Sequence, residues 1–281
     1  MSIEVVSIGS SSAGNSYLIM AGGHNIILDV GLTAKRITAG LEAYDIAPES
    51  IEAVLITHEH TDHVKSVRAV SRKCSNAVFY ASRGTVEHTA NFGFVPEDRL
   101  HIIESGDCFH VGGTANRDGR GIEVSTFSLS HDASEPVGYA IADDDEKLAV
   151  VTDTGIITDE IYDVIRDADI LILESNHDED LLMFGEYPYP LKRRIKGDFG
   201  HLSNRTAGET LAQVLSERQK RSAADSGREK RLRIMLAHLS DHNNLPFVAR
   251  QTVEGILSNQ GFEREEDYIL DIASKEELTI L

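Results

Sequence analysis

The chain's 281 residues are 41% hydrophobic, 26% charged and 6% aromatic, a balance that excludes membrane-spanning, collagen-like and intrinsically disordered classes. Its 46 acidic residues outnumber 27 basic ones for a net charge of -19, so the average surface repels nucleic acid and a polyanionic substrate needs a local source of positive charge. Cys74 and Cys108, without CxxC spacing, exclude a disulfide framework or thiolate metal site and fit a reducing cytoplasm; the start MSIEVVSIGS lacks the pattern of a signal peptide or anchor.

β-Branched runs predict strands over 3–8, 17–20 and 26–28, joined by a Ser/Gly loop and by Gly22-Gly23, both short antiparallel connections. Helical spacing follows over 34–44, then a strand over 54–57, a helix over 63–73, a strand over 78–80 and a helix over 85–91. Strands over 122–129, 139–142 and 148–152 precede a helix over 159–166 and a strand over 170–174. A helix over 205–220, a strand over 233–237, a helix over 245–258 and a strand over 268–272 complete the chain, with the polar run 222–230 expected to be a mobile surface loop. Strands that lead into helices predict an α/β fold with sheets sandwiched by helices, read as one domain over 1–281.

The apolar run AVLIT leads into His58-Glu59-His60-Thr61-Asp62-His63. Alternation in an extended turn puts His58 and His60 on one side, and entry into a helix at Asp62 turns Asp62 and His63 toward a neighbouring point, so one segment can serve two metals. A solvated polar loop is the bland alternative. Further donors stand where predicted strands stop: His131, Asp153 and His238. The two oxygens of Asp153 can bridge two cations, and His131 and His238 would complete one each. Asp29, in ILDVG, is a turn residue or a supporting carboxylate.

In this order the motifs resemble those of the metallo-β-lactamase fold hydrolases. The resemblance implies an αβ/βα four-layer sandwich of two mixed sheets flanked by helices. It implies one metal on His58, His60, His131 and Asp153, and another on Asp62, His63, Asp153 and His238, with Asp29 behind them. Asp153 stands where the commonest zinc β-lactamases have Cys, and His60 where di-iron relatives have Glu, so neither antibiotic hydrolysis nor oxygen reduction is implied. Glu174 in LILESNHD, His201 in GHLSN and His238 in LAHLS resemble the phosphodiesterase branch, where the Glu orients a His that protonates the leaving oxygen. The runs SSSAGNSYLI, LITHEHTDHV, SHDASEPVGY, VTDTG and HLSDHNN resemble the YycJ (WalJ) group. This implies a dinuclear metal-dependent DNA exonuclease acting from the 5′ end, with zinc, manganese or iron as the divalent ions, a metal-bound hydroxide attacking phosphorus, and His201, Glu174 and Asp62 as catalytic residues. RNA is the alternative polymer, no membrane is implied, and a carboxylic ester, lactone or thioester hydrolase on the same centre is the rival activity.

Twelve of the 27 basic residues fall between 192 and 233, around His201. Lys192, Arg193, Arg194 and Arg205, with Asn204, are candidate phosphate contacts, against the alternative of a solvated helix face. Ser11, Ser12 and Asn15 offer hydroxyl and backbone donors to a terminal phosphate, or form a plain tight turn.

Overall fold

The computed structural model describes residues 2–112, 121–225 and 230–281. The strands and helices run in chain order as β1 (Glu4–Gly9), β2 (Ser16–Ala21), β3 (His24–Leu28), α1 (Ala34–Glu42), β4 (Ile51–Leu55), α2 (Thr61–Val64), α3 (Val67–Lys73), β5 (Val78–Ser82), α4 (Arg83–Glu87), β6 (Leu100–Ile103), β7 (Cys108–Val111), β8 (Ile122–Ser128) and β9 (Val137–Ala142). They continue as β10 (Lys147–Val151), α5 (Asp159–Ile165), β11 (Ile170–Glu174), α6 (Glu179–Phe184), α7 (Tyr189–Ile195), α8 (Asn204–Asp225), β12 (Leu232–Ala237), α9 (Pro246–Asn259), β13 (Tyr268–Ile272) and β14 (Thr279–Ile280). The strands make two seven-stranded mixed sheets flanked by helices, the expected α/β architecture.

The chain divides into two compact units. One comprises Met1–Ser128, Ala133–Glu146 and Ala273–Leu281, and holds the first sheet, ordered β14-β1-β2-β3-β4-β5-β6. β1, β2 and β3 pair antiparallel, whereas β3, β4, β5 and β6 run parallel. Ile27, Val54 and Phe79 pack from three neighbouring strands into a core that Ile37 and Leu41 of α1 and Val67 and Val70 of α3 cover. β7, β8 and β9 form an antiparallel ladder in the same unit.

The other unit, Leu129–Asp132 and Lys147–Ile272, carries β10, β11, β12 and β13 in a parallel ladder. Parallel strands covered on both faces read as unbroken apolar runs, and Ile170 to Leu173 and Ile234 to Leu236 are fully buried accordingly. Where the sequence predicts a loop over 222–230, α8 continues through Asp225, as its two alanines favour. The stretch 226–229 lies outside the described residues.

Candidate functional site

In the first unit, β3 and β4 are parallel neighbours and release their chains at the same end, Asp29 after β3 and Thr57-His58 after β4. The Asp29 N–H donates to the Leu55 carbonyl at 2.9 Å, and its backbone sits at φ 58°, a region non-glycine residues seldom occupy. Its fully buried carboxylate accepts the Thr57 N–H at 3.0 Å and the His63 Nδ1–H at 2.7 Å. Thr57 Oγ1 lies 3.0 Å from Asp29 Oδ2 and 3.0 Å from His58 Nδ1. A threonine hydroxyl has one hydrogen, which goes to the carboxylate, so His58 Nδ1–H donates to the hydroxyl oxygen. Both rings therefore carry their lone pair on Nε2. The His58 ring centroid is 4.6 Å from that of His60 and 4.2 Å from that of His63. Asp62 Oδ2 stands 3.4 Å from His63 Nε2.

The Ser/Gly loop after β1 holds this segment in place. Asn15 donates its backbone N–H to the Asp62 carbonyl at 2.9 Å, and Val30 donates to the His63 carbonyl at 2.8 Å. A Cβ at Gly31 would stand 1.5 Å from the Asp62 carbonyl oxygen, so only glycine lets the two loops approach this closely. Asn15 is buried, donating to the Ser11 carbonyl at 3.0 Å and accepting from the Ser10 hydroxyl at 2.8 Å. Ser11 is also buried and exchanges backbone hydrogen bonds with Gly14, while Ser12 is exposed.

In the second unit, three adjacent parallel strands deliver a donor each at their C-terminal ends: Asp153 after β10, Glu174 at the end of β11 and His238 after β12. That end of a parallel sheet is where ligands bind in open α/β structures. Asp153 and His238 have φ of 59° and 55°. With Asp29, they account for three of the five positive-φ non-glycine residues described, and strain of this kind concentrates at functional positions. Glu174 is fully buried and accepts four hydrogen bonds: from His201 Nδ1 at 2.7 Å, His238 Nδ1 at 2.9 Å, and the N–H groups of Thr154 and Leu202 at 3.1 Å each.

Burial works to raise the Glu174 carboxyl, but the His201 charge and the two imidazole donors outweigh it and hold the group down at about 2. Burial also pulls His201 down, yet the Glu174 carboxylate prevails and raises it above the ordinary histidine value. The His201 side chain remains 20% exposed whereas that of Glu174 is fully enclosed, so His201 is the member of this pair that can pass a proton outward. His131 Nδ1 donates to the Gly200 carbonyl at 3.1 Å.

Donor chemistry fits a metal in both units. With Nδ1–H tied to Glu174, His238 turns its Nε2 lone pair toward Asp153 Oδ1 at 3.4 Å, and His131 Nε2 faces the same oxygen at 3.8 Å. His63 and Asp62 repeat the arrangement. Lone pairs that face carboxylate oxygens repel unless a cation stands between them, and N/O donor sets of this kind suit divalent metals. Asp153, Glu174, His201 and His238 bring their donor atoms within 4.8 Å of one another.

Thr57, Thr154 and Asn176 escape the sequence reading, although each stands within two residues of a candidate. Thr154 also accepts the Ser130 N–H, and Asn176 donates to the His238 carbonyl at 2.9 Å. Asn204 is buried, accepting from the Ser175 hydroxyl at 2.6 Å and donating to Asn244 at 3.0 Å. Of the basic residues, Arg218 caps the Ala168 carbonyl and Arg221 pairs with Asp167. Arg193, Arg194 and Arg205 are exposed, and Lys192 donates to the carbonyls of Met183 and Gly185.

Residues 24–220 match the Beta-lactamase superfamily domain. Exodeoxyribonuclease YycJ of Bacillus anthracis is 34% identical over 265 residues, which cover 93% of this chain and 92% of that one. Exodeoxyribonuclease WalJ of Streptococcus pneumoniae serotype 2 is 34% identical over 249 residues, covering 88% and 85%. The metallo-β-lactamase fold protein YhfI from Bacillus subtilis shares the fold, with a TM-score of 0.69 over 99% of this chain and 100% of that one, at 16% identity. No helix among the described residues is long and apolar enough to cross a membrane.

Proposed function

From the premise that this chain belongs to the β-lactamase superfamily, in the group of the YycJ and WalJ exodeoxyribonucleases, we propose that it is a dinuclear metal-dependent phosphodiesterase that degrades DNA from the 5′ end. In this reading residues 1–281 act as a single metallo-β-lactamase fold domain. His58, His60, His131 and Asp153 hold one divalent ion, zinc or manganese, and Asp62, His63, Asp153 and His238 hold the other. When bound, the ions supply Lewis acidity at the phosphate and lower the pKa of water toward neutrality.

The observation that carries the proposal is the His201–Glu174 pair. A phosphodiester releases an alkoxide that needs a proton, and a partly exposed imidazole, raised by a buried carboxylate on its Nδ1, is an acid suited to give one. His201 protonates the departing oxygen from Nε2, and Glu174 fixes the ring and its charge. The same carboxylate sets the tautomer of His238, so one buried group tunes both a metal ligand and the acid. Asp29 and Thr57 do this for His63 and His58. Asp62 orients the attacking water. Arg193, Arg194 and Arg205 meet the polymer's phosphates with Lys192, while Ser11, Ser12 and Asn15 shape the loop after β1 and Asn204 the start of α8 beside the substrate path. The cytoplasm, which offers DNA and a reducing medium for Cys108, is the compartment this reading assigns.

Hydrolysis of bis-p-nitrophenyl phosphate is compared with that of p-nitrophenyl acetate, each with manganese or zinc. Faster turnover of the phosphate diester, lost in His201→Ala while metal content persists, is the expected result. Preference for the ester, with His201→Ala fully active, contradicts the proposal and points to a carboxylic ester, lactone or thioester substrate.

A further inference from the structure

Phe199 presents its ring to solvent, 64% exposed, from a turn of the second unit whose backbone carbonyls are bonded to the 130–132 segment. Its carbonyl accepts the Asp132 N–H at 3.1 Å, the Asp198 carbonyl accepts the Ser130 hydroxyl at 2.8 Å, and the Gly200 carbonyl holds His131 Nδ1. The backbone is packed so closely that a Cβ at Gly200 would meet the Ile195 carbonyl at 2.1 Å, and one at Gly155 would meet the Asp198 carbonyl at 2.3 Å. Phe199 is therefore a bare aromatic face on a rigid turn, two residues from His201.

Cations flank it. α7 ends immediately before this turn and supplies the exposed Arg193 and Arg194, with Lys196 beyond. Arg194 Nε is bonded to the Asp132 carboxylate, whose own backbone N–H is bonded to Phe199. Asp198 is the single acid among residues 187–205, which carry five basic side chains, and Asp132 reaches the turn through its pairing with Arg194, so cations predominate along this stretch of a chain of net charge -19. Positive groups beside an exposed ring on a rigid support are the elements of a single-strand groove, phosphates on the cations and a base on the ring. A base inside a duplex is covered on both faces, so only an unpaired or terminal base can use such a surface.

We infer that Phe199 is a positioning residue that stacks an unpaired nucleobase beside the phosphate delivered to His201, with Arg193 and Arg194 on the adjoining phosphates, so that the strand entering the site is single. This rests on the phosphodiesterase reading above and names the substrate form it takes.

The test measures binding of a 5′-phosphorylated, fluorescein-labelled oligothymidylate by anisotropy in the presence of chelator, so that no cleavage intervenes. The proteins are wild type, Phe199→Ala, Phe199→Leu and Phe199→Tyr, each checked by thermal melting. Loss of the ring should weaken binding roughly ten- to hundredfold. Phe199→Leu, apolar without a π face, should be equally weak, and Phe199→Tyr should restore binding. An oligonucleotide abasic at its terminal positions should bind wild type and Phe199→Ala alike. Equal binding of intact and abasic strands by wild type, or full binding by Phe199→Ala or Phe199→Leu, overturns the inference. So does a dimer that dissociates in Phe199→Ala with oligonucleotide binding unchanged, which would make this face an interface between copies. If wild type degrades DNA with manganese while Phe199→Ala binds normally, only the stacking role falls. A wild type that neither binds nor degrades any strand overturns both readings.

Discussion

Replacing Glu174 with Gln keeps the shape of the side chain and removes its charge from a point where four donors converge. The carboxylate accepts from two imidazoles and two backbone N–H groups. A Gln amide turns its own NH2 toward either the backbone pair or the imidazole pair, so buried donors face donors, each clash costing about 1–3 kcal/mol. Linkage gives an independent figure. A carboxyl held at about 2 in the folded protein against an ordinary 4.5 contributes roughly 3 kcal/mol. Because the folded value is depressed, that stability is fully present above pH 4.5 and is lost as the pH falls toward about 2. Metal-free Glu174→Gln should therefore melt about 6–12 °C below wild type at neutral pH, with the gap narrowing as the solution is acidified through that window. Catalysis changes in the same variant. Without the carboxylate, His201 loses what raises it, so its proton is given up at lower pH and the alkaline fall in rate moves to lower pH, with a loss of about 10²–10⁴ at pH 8. Calorimetry and a pH–rate profile on bis-p-nitrophenyl phosphate read both effects. An unshifted alkaline limb together with an unchanged melting temperature would refute the coupling of Glu174 to His201.

Two further substitutions probe the first unit. Asp29→Asn removes the carboxylate that fixes His63 and, through Thr57, His58, and should weaken zinc binding by about 10- to 100-fold in equilibrium dialysis; an unchanged affinity would deny it that supporting role. Gly31→Ala drives a methyl into the Asp62 carbonyl oxygen, 1.5 Å away. It should destabilise the protein by about 1–3 kcal/mol or more and reduce the bound metal, and wild-type melting with full metal content would contradict the packing described for the two loops.

The chemistry of the site is more legible in the sequence than its support. His58, His60, Asp62 and His63 stand in one run and Asp153, Glu174 and His238 at the ends of apolar strands, because parallel strands expose their C-terminal ends and hydropathy marks where they stop. Partners distant in sequence leave no such mark: the pairing of Glu174 with His201 is legible through the resemblance alone, and the bonds of the same carboxylate to His238 and to the Leu202 N–H are tertiary facts. Thr57 and Asn176 look like ordinary strand-end polar residues until their hydrogen bonds are seen. Asn15 and Asn204, polar and loop-bound in sequence, are buried and committed to their neighbours in the fold. β7 (CFHV) and β14 (TI) are too short and too weakly patterned to stand out, and α7 hides behind a proline and a run of charges. The extension of α8 through Asp225 shows the opposite error, where a polar composition reads as loop although its alanines continue the helix.

Degradation from the 5′ end is read directly by incubating linear, 5′-phosphorylated DNA, labelled at one end or the other, with the wild-type protein and manganese or zinc, beside a His58→Ala control. Release of the 5′ label ahead of the 3′ label, in a metal-dependent reaction that the control lacks, is the expected result. Intact DNA with both metals, or equal degradation by His58→Ala, would contradict the exonuclease reading.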